Sequence, residues 1–305
     1  MSTSVLVAGS GNVTGMHVVR SLVEFVCVVG VDSTAANPAN ALCQNYVVPR
    51  ASDPMYVSVL SDIIQRQSVT HIVASNDHEA RALAENRWLL PPVCINGLGA
   101  NTLVFLDKEK THQLFKDKGI LTPDVLDVHT TSLPFVVRKA RMGSGKKFVH
   151  IVRTREDYAE LPHNIWDSGV VTRFIEGNEY TVDVLCDQTC RPVSIVPRLR
   201  HEVQHGMVRF AEIVNNQVVI DATRELAQKC CLVGMNCVQC ILTKDNECYF
   251  IEVNPRPGSG LDLTIAAGVN MPLLWWKLSQ GISVDVHDPE WGLKMVRNHG
   301  AYIFR

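Results

Sequence analysis

The order of elements in this 305-residue chain predicts two architectures in series: a doubly wound α/β domain with a parallel sheet, then a larger α+β half. Three observations predict it. Short apolar strands alternate with amphipathic helices at the front of the chain. A glycine-bearing turn joins the first strand to the first helix. Beyond Asp107 strands follow one another as hairpins, with few helices between them.

Val5–Ala8 reads as a buried strand and Gly9-Ser10-Gly11-Asn12-Val13-Thr14-Gly15 as the turn after it. Met16 to Phe25 has helical spacing, and the strand Val26–Val31 ends at Asp32. A helix over Met55–Arg66, a strand over Ile72–Ser75 and a helix over His78–Asn86 continue the alternation, which indicates a parallel sheet covered on both faces. The first domain is expected to span 1–104 and the second 105–305, the latter split into a small lobe at 105–175 and a large lobe at 176–305.

In the second half, Lys108–Lys118 is an amphipathic helix stopped by Gly119. Pro134–Ala140 and Phe148–Val152 are strands joined by the polar glycine loop Arg141–Lys147. Thr154 to Leu161 begins with a capping box, Thr154-x-x-Asp157. Strands follow at Val170–Ile175, Glu179–Cys186, Pro192–Arg200 and Met207–Val214, then a helix at Asp221–Leu232 and strands at Cys237–Leu242 and Cys248–Val253. Thr264–Gln280 reads as one apolar helix, and the helices of this half are expected on one side of the sheet.

Composition narrows the function. The apolar fraction is 46%, the charged fraction 20% and the formal net charge -2, which leaves no basic footprint for nucleic acid. No apolar run approaches a membrane span, and Met1–Gly9 is too short and uncharged for an export signal, so a cytoplasmic location is expected. The ten cysteines are then expected as reduced, small core residues. Cys237-x-x-Cys240 lies within a strand and lacks a second ligand pair, so it reads as packing rather than a zinc or redox site.

The glycine turn with Asp32 at the end of the next strand fits a dinucleotide fingerprint loosely, one residue too long. It keeps an NAD(P)-dependent oxidoreductase as a rival reading. The same turn also suits any doubly wound domain.

The informative segment is Glu247-Cys248-Tyr249-Phe250-Ile251-Glu252-Val253-Asn254-Pro255-Arg256. Period two places Glu252, Asn254 and Arg256 on one face of an otherwise apolar strand. Glu and Asn offer hard oxygens suited to magnesium, Arg a forked cation suited to phosphate, and Gln239 a further oxygen from the preceding strand. An apolar strand with one polar face should look into a site.

Phe-Ile-Glu-Val-Asn-Pro-Arg resembles the metal-binding strand of the ATP-grasp superfamily, most closely the large chain of carbamoyl-phosphate synthase, and Asn236-Cys237-Val238-Gln239 resembles its glutamine strand. The resemblance runs through nearly the whole chain, as a single module after a Rossmann-like pre-ATP-grasp domain. It implies that Glu252 bridges two magnesium ions, with Gln239 holding one and Asn254 the other, manganese being an alternative metal. It implies Arg256 beside the transferred phosphate, and Lys108 and Arg138 as the two nucleotide-binding cations. Met142-Gly143-Ser144-Gly145-Lys146 resembles the flap over the triphosphate, so Gly143, Ser144 and Gly145 are expected there. Arg173, Phe174 and Ile175 resemble the hinge that packs on adenine, and Glu179 the acid that binds ribose hydroxyls.

The resemblance therefore implies ATP and Mg2+, and an ADP-forming ligase that phosphorylates a small carboxylate and passes it to an amine. Stand-alone relatives of this kind include the lysine-joining enzyme of pyrrolysine biosynthesis, and a homodimer is common among them. A non-catalytic ATP-binding regulator is the other alternative. Arg198 and Arg200 share a strand face, and the sequence leaves open whether they clamp a substrate anion or form salt bridges at the surface.

Overall fold

The computed structural model describes residues 3–127, 132–139, 149–166, 169–204 and 207–297. The front of the chain forms β1 (Ser4–Ala8), α1 (Val13–Leu22), β2 (Cys27–Asp32), β3 (Gln44–Val47), α2 (Tyr56–Arg66), β4 (His71–Ala74), α3 (Asp77–Glu85) and β5 (Cys94–Ile95). The sheet order is β3-β2-β1-β4-β5, every neighbour parallel. Strands β1 and β4 are buried along their whole length because helices cover both faces. Sequence order reverses between β1 and β4, so a crevice opens at their carboxyl ends, where Asn12 caps α1 and Asn76 caps α3.

The glycine turn is explained by the chain's own packing. A Cβ on Gly15 would lie 2.2 Å from the Gly9 carbonyl oxygen, so only glycine lets α1 start this close to the turn.

Next come α4 (Thr102–Phe105), α5 (Lys108–Asp117), β6 (Phe135–Lys139), β7 (Val149–Val152), α6 (Arg155–Ala159) and β8 (Gly169–Arg173). Strands β7-β6-β8 make a small antiparallel sheet. Phe135, Val137, Val152 and Val171 pack outward against Leu161 and Ile165. The capping box forms as the sequence predicts: Thr154 Oγ1 accepts from Asp157 N, and Asp157 Oδ2 from Thr154 N.

The remainder is β9 (Asn178–Cys186), β10 (Pro192–Gln204), β11 (Met207–Ile213), α7 (Gln217–Lys229), β12 (Gly234–Leu242), β13 (Cys248–Asn254), α8 (Leu261–Ala266), α9 (Met271–Ser279) and β14 (Lys294–Val296). The antiparallel order is β13-β12-β9-β10-β11-β14.

Two expectations are corrected here. Helices cover both faces of this sheet, not one. Val182, Val184 and Val238 pack toward α7 and Phe115, while Leu185, Val196 and Met235 pack toward α8, α9 and α1. A strand such as β9, buried from Tyr180 to Cys186, needs cover on both sides. The expected helix 264–280 is two helices. Gly268 adopts φ +96° and ends the first, and Pro272 sits in the first turn of the second, where Asn270 Oδ1 accepts from Leu273 N.

Candidate active site

A cleft of about 700 Å³ lies between the small sheet and the six-stranded sheet, open at one end to the crevice between β1 and β4. Its floor is built by strand parity. In register across the large sheet, Glu252 lies opposite Gln239, Gln239 opposite Thr181, and Thr181 opposite Arg198; all four line the cleft. One step along, Asn254 lies opposite Cys237 and Cys237 opposite Asp183. The same face continues into the core under α8 and α9, so the polar row marks where that cover stops.

The opposite wall comes from the small sheet. Residues alternate along β6, so Val136 and Arg138 face the cleft while Phe135 and Val137 face the outer core. With Ile151, Phe174, Ile175, Ile241 and Ile251 they give one end of the cleft an apolar lining.

The structure brings together every expected site residue that it describes: Lys108, Arg138, Arg173, Phe174, Ile175, Glu179, Gln239, Glu252, Asn254 and Arg256 all line this cleft. Gly143, Ser144 and Gly145 lie outside the described residues. Among the described residues six arginines and lysines line the cleft (Lys108, Arg138, Arg173, Arg198, Arg200, Arg256) against the carboxylates of Asp77, Glu179 and Glu252. On a chain of net charge -2, that local excess favours a polyanionic ligand.

Glu252 is the focus of this field. Lys108 Nζ lies 3.5 Å from Glu252 Oε2, and Asn254 Nδ2 donates to Glu252 Oε1 at 3.0 Å. Burial alone would raise its carboxyl, but Lys108, the Asn254 hydrogen bond, Arg138 and Arg256 outweigh burial and hold it at about 2. Burial lowers the Arg138 guanidinium, with Glu252 and Glu179 opposing. For Arg256, burial is outweighed by Asp77, whose Oδ1 accepts from Arg256 Nε at 2.7 Å, so its affinity for the proton rises.

Arg200 Nη1 donates to Gln239 Oε1 at 3.2 Å and also to Glu179. Arg198 is 1% exposed and forms a bidentate pair with Asp183, Nε to Oδ2 at 2.9 Å and Nη2 to Oδ1 at 2.8 Å; Thr264 Oγ1 also donates to Asp183 Oδ2 at 2.6 Å. These arginines are salt-bridged, yet they stand in the cleft and not on an outer surface. The Arg173 amide donates to Asp124 O at 2.9 Å, and its side chain reaches Tyr249 OH at 3.3 Å.

Among the described residues no group of three His, Cys, Asp or Glu gathers as a self-sufficient metal site. The oxygen set Gln239, Glu252 and Asn254 fits a cation that draws its remaining ligands from water and phosphate. Cys237 and Cys240 are buried free thiols in β12, and burial pushes Cys237 up to about 12. Asp32 is engaged by its own loop: Oδ2 accepts from Gly11 N at 3.1 Å and Oδ1 from Thr34 N at 2.9 Å. Sequence reasoning missed the acid Asp77 and the buried Asp183, both of which meet their arginines only across the fold.

Two family profiles match. One described as "ATP-grasp in the biosynthetic pathway with Ter operon" matches residues 167–300, and one described as "PylC-like, N-terminal domain" matches residues 5–89. Over residues 167–300 the chain is thus similar to ATP-grasp proteins. Its curated relatives include a D-alanine–D-alanine ligase of Aquifex aeolicus, 27% identical over an alignment of 183 positions that covers 52% of this chain and 62% of that ligase. The match thus spans less than two-thirds of that relative's length. Among solved structures, the ADP complex of purK, N5-carboxyaminoimidazole ribonucleotide synthetase, aligns with a TM-score of 0.80 at 16% identity over 97% of this chain and 81% of that one. An L-amino acid ligase from Bacillus licheniformis aligns at 0.70 with 18% identity, over 91% and 73%. Both share the ATP-grasp fold with this protein: a parallel-sheet unit followed by two antiparallel sheets around a cleft. Among the described residues no helix is long and apolar enough to cross a membrane.

Proposed function

We propose that this protein is an ATP-grasp enzyme, an ADP-forming ligase that phosphorylates a small carboxylate with ATP and hands the acyl phosphate to an amine. The observation that carries the reading is Glu252, a carboxylate held ionised inside a cationic cleft with Asn254 and Gln239 as its oxygen-bearing neighbours. In this reading Gln239, Glu252 and Asn254 hold Mg2+, two ions or Mn2+ in its place. Such a cation offsets the charge on the phosphate oxygens during in-line transfer. Asn254 now turns its amide nitrogen to Glu252, so sharing a cation requires the amide to rotate and present its oxygen.

Adenine takes the apolar slot between Val136, Ile151, Ile241 and the hinge residues Arg173, Phe174 and Ile175. Glu179 lies on the cleft floor for the ribose, and Lys108 and Arg138 neutralise the phosphates. Arg256 stands at the end facing the first unit, where the carboxylate meets the γ-phosphate. The second substrate enters at the crevice between β1 and β4, the switch point at which open parallel sheets bind ligands. The proposed division is a first domain over 1–104 and a second over 105–305, split into a small lobe at 105–175, which carries the sheet β7-β6-β8, and a large lobe at 176–305; Gly143, Ser144 and Gly145 are the proposed flap residues. Cytoplasmic location and a homodimer belong to this proposal.

Asp32 accepts from Gly11 N and Thr34 N, one on each carboxylate oxygen, so its place at the end of β2 is explained by the glycine turn without a nicotinamide ribose. Release of ADP with pooled amino acids and amines, compared between the protein and Glu252→Ala, tests the proposal. A loss of at least about 100-fold with an unchanged fold is expected; full activity in the variant rejects the metal site. Stabilisation by NAD but not by ATP with Mg2+ would revive the oxidoreductase.

A further inference from the structure

The first unit is joined to the strands of the site at three places. Asn96 pairs with β12 through its side chain, donating from Nδ2 to Met235 O at 3.1 Å and accepting Met235 N at 2.7 Å. Gly97 approaches the segment after β13 so closely that a Cβ there would lie 2.1 Å from Pro255 O. The third link differs in kind: Asp77, in the first turn of α3, receives Arg256 Nε at 2.7 Å. Both side chains are largely buried, 13% exposed for Arg256 and 19% for Asp77.

Arg256 is fixed from three directions. Nε goes to Asp77, Nη1 donates to Pro257 O at 3.0 Å, and Nη2 donates to Asn254 Oδ1 at 3.4 Å. Two of these partners are sequence neighbours and move with it. Asp77 stands 179 residues away and makes the only charged contact of the three. The start of α3 favours an ionised carboxylate, and with these three bonds made one N–H on each of Nη1 and Nη2 is left for a ligand. Without that anchor a long side chain between two prolines regains its rotamers, and orienting it again must be done by the ligand.

We infer that Asp77 is the positioning residue for Arg256, so that the parallel-sheet unit sets the orientation of the cation facing the transferred phosphoryl group. This rests on the proposed function, because it assigns Arg256 to that group. Docking of the two halves does not depend on it, since Asn96 and Gly97 hold the same interface.

The test uses Mg-ADP, and Mg-ADP with aluminium fluoride as a mimic of the phosphoryl group in flight, measured by titration calorimetry. In the unaltered protein the fluoride adduct binds more tightly than Mg-ADP alone. Asp77→Asn is expected to lose at least about tenfold of that increment while Mg-ADP affinity stays within about twofold. Asp77→Glu recovers part of it. Arg256→Lys loses the same increment, and the double variant loses no more than Arg256→Lys. A full increment in Asp77→Asn, additive losses in the double variant, or no increment in the unaltered protein would each overturn the inference. If Asp77→Asn melts early, the Asp77→Glu and Arg256→Lys comparison decides. Failure of the unaltered protein to bind Mg-ADP at all would remove the nucleotide reading beneath it, a result distinct from a lost increment.

Discussion

Replacing Glu252 by Gln tests the charge logic of the cleft more sharply than truncation, because shape is kept and one charge removed. The carboxyl sits at about 2 against an ordinary 4.5, so its surroundings favour the anion by roughly 3 kcal/mol. That stabilisation is fully present above pH 4.5 and is lost as pH falls toward 2, because the depressed value belongs to the folded state. The free Gln variant is therefore less stable at pH 7 by up to roughly 3 kcal/mol, and the gap closes in acid. Nucleotide binding should move in opposite directions with and without metal. Two unit charges about 5 Å apart at an effective dielectric near 20 interact by roughly 3 kcal/mol, so Glu252 repels a metal-free triphosphate while its cation neighbours attract one. In EDTA the variant should bind ATP at least about tenfold more tightly than the unaltered protein. With Mg2+ present it should gain little or nothing. The assay is titration of ATP under both conditions, and the readout is the ratio of the two dissociation constants for each protein. An unchanged ratio in the Gln variant would refute Glu252 as the metal-linked carboxylate.

Four other perturbations follow from the geometry. Burial lifts the Glu79 carboxyl to about 7, so the fold prefers the neutral acid and the protein loses stability as pH rises from 4.5 through 7; Glu79→Gln should be stabilised by up to roughly 3 kcal/mol at pH 8 and hardly at all at pH 4, as read from urea unfolding. Removing Asp183 strands the buried Arg198, and Asp183→Ala should cost about 3–5 kcal/mol. Glu202→Ala, which breaks a pair with Arg209 that is half exposed on both sides, should cost under about 1 kcal/mol. A Cβ on Gly260 would lie 2.1 Å from Arg198 Nη1, so Gly260→Ala must push the guanidinium or the loop aside and should lower stability by about 1–3 kcal/mol in thermal melting.

What the sequence discloses of this site follows the range of its interactions. Strand parity is local, and it places Glu252, Asn254 and Arg256 on one face before any pairing is known, whereas Arg138 is marked out only by the family resemblance. Turn chemistry is local too, so the capping box at Thr154 was readable. The single helix expected over 264–280 failed for the reason apolar periodicity often fails: the pattern stays helical across a break that Gly268 imposes through its backbone. Edge strands β3, β5 and β14, at two to four residues each, carry too little period to declare themselves.

The arginines show where local reading stops. Arg198 and Arg200 look alike in sequence, two residues apart on one face, and the sequence left a substrate clamp and a salt bridge both open. Their partners come from β9 and β12: Asp183 closes on Arg198 beneath the loop at 258–260, while Glu179 and Gln239 share Arg200 at the cleft floor. Register across β10, β9 and β12 creates those pairs, and register is not written in any one strand. Arg256 differs again, because its acid lies in the parallel-sheet unit, at the start of α3. A motif strand can supply a cation, but its aim depends on how closely the first unit docks, and that distance is set by Gly97 and Asn96 rather than by the motif. The Glu-x-Asn-x-Arg strand therefore supplies Arg256 without fixing where it points; the docking of the parallel-sheet unit does that.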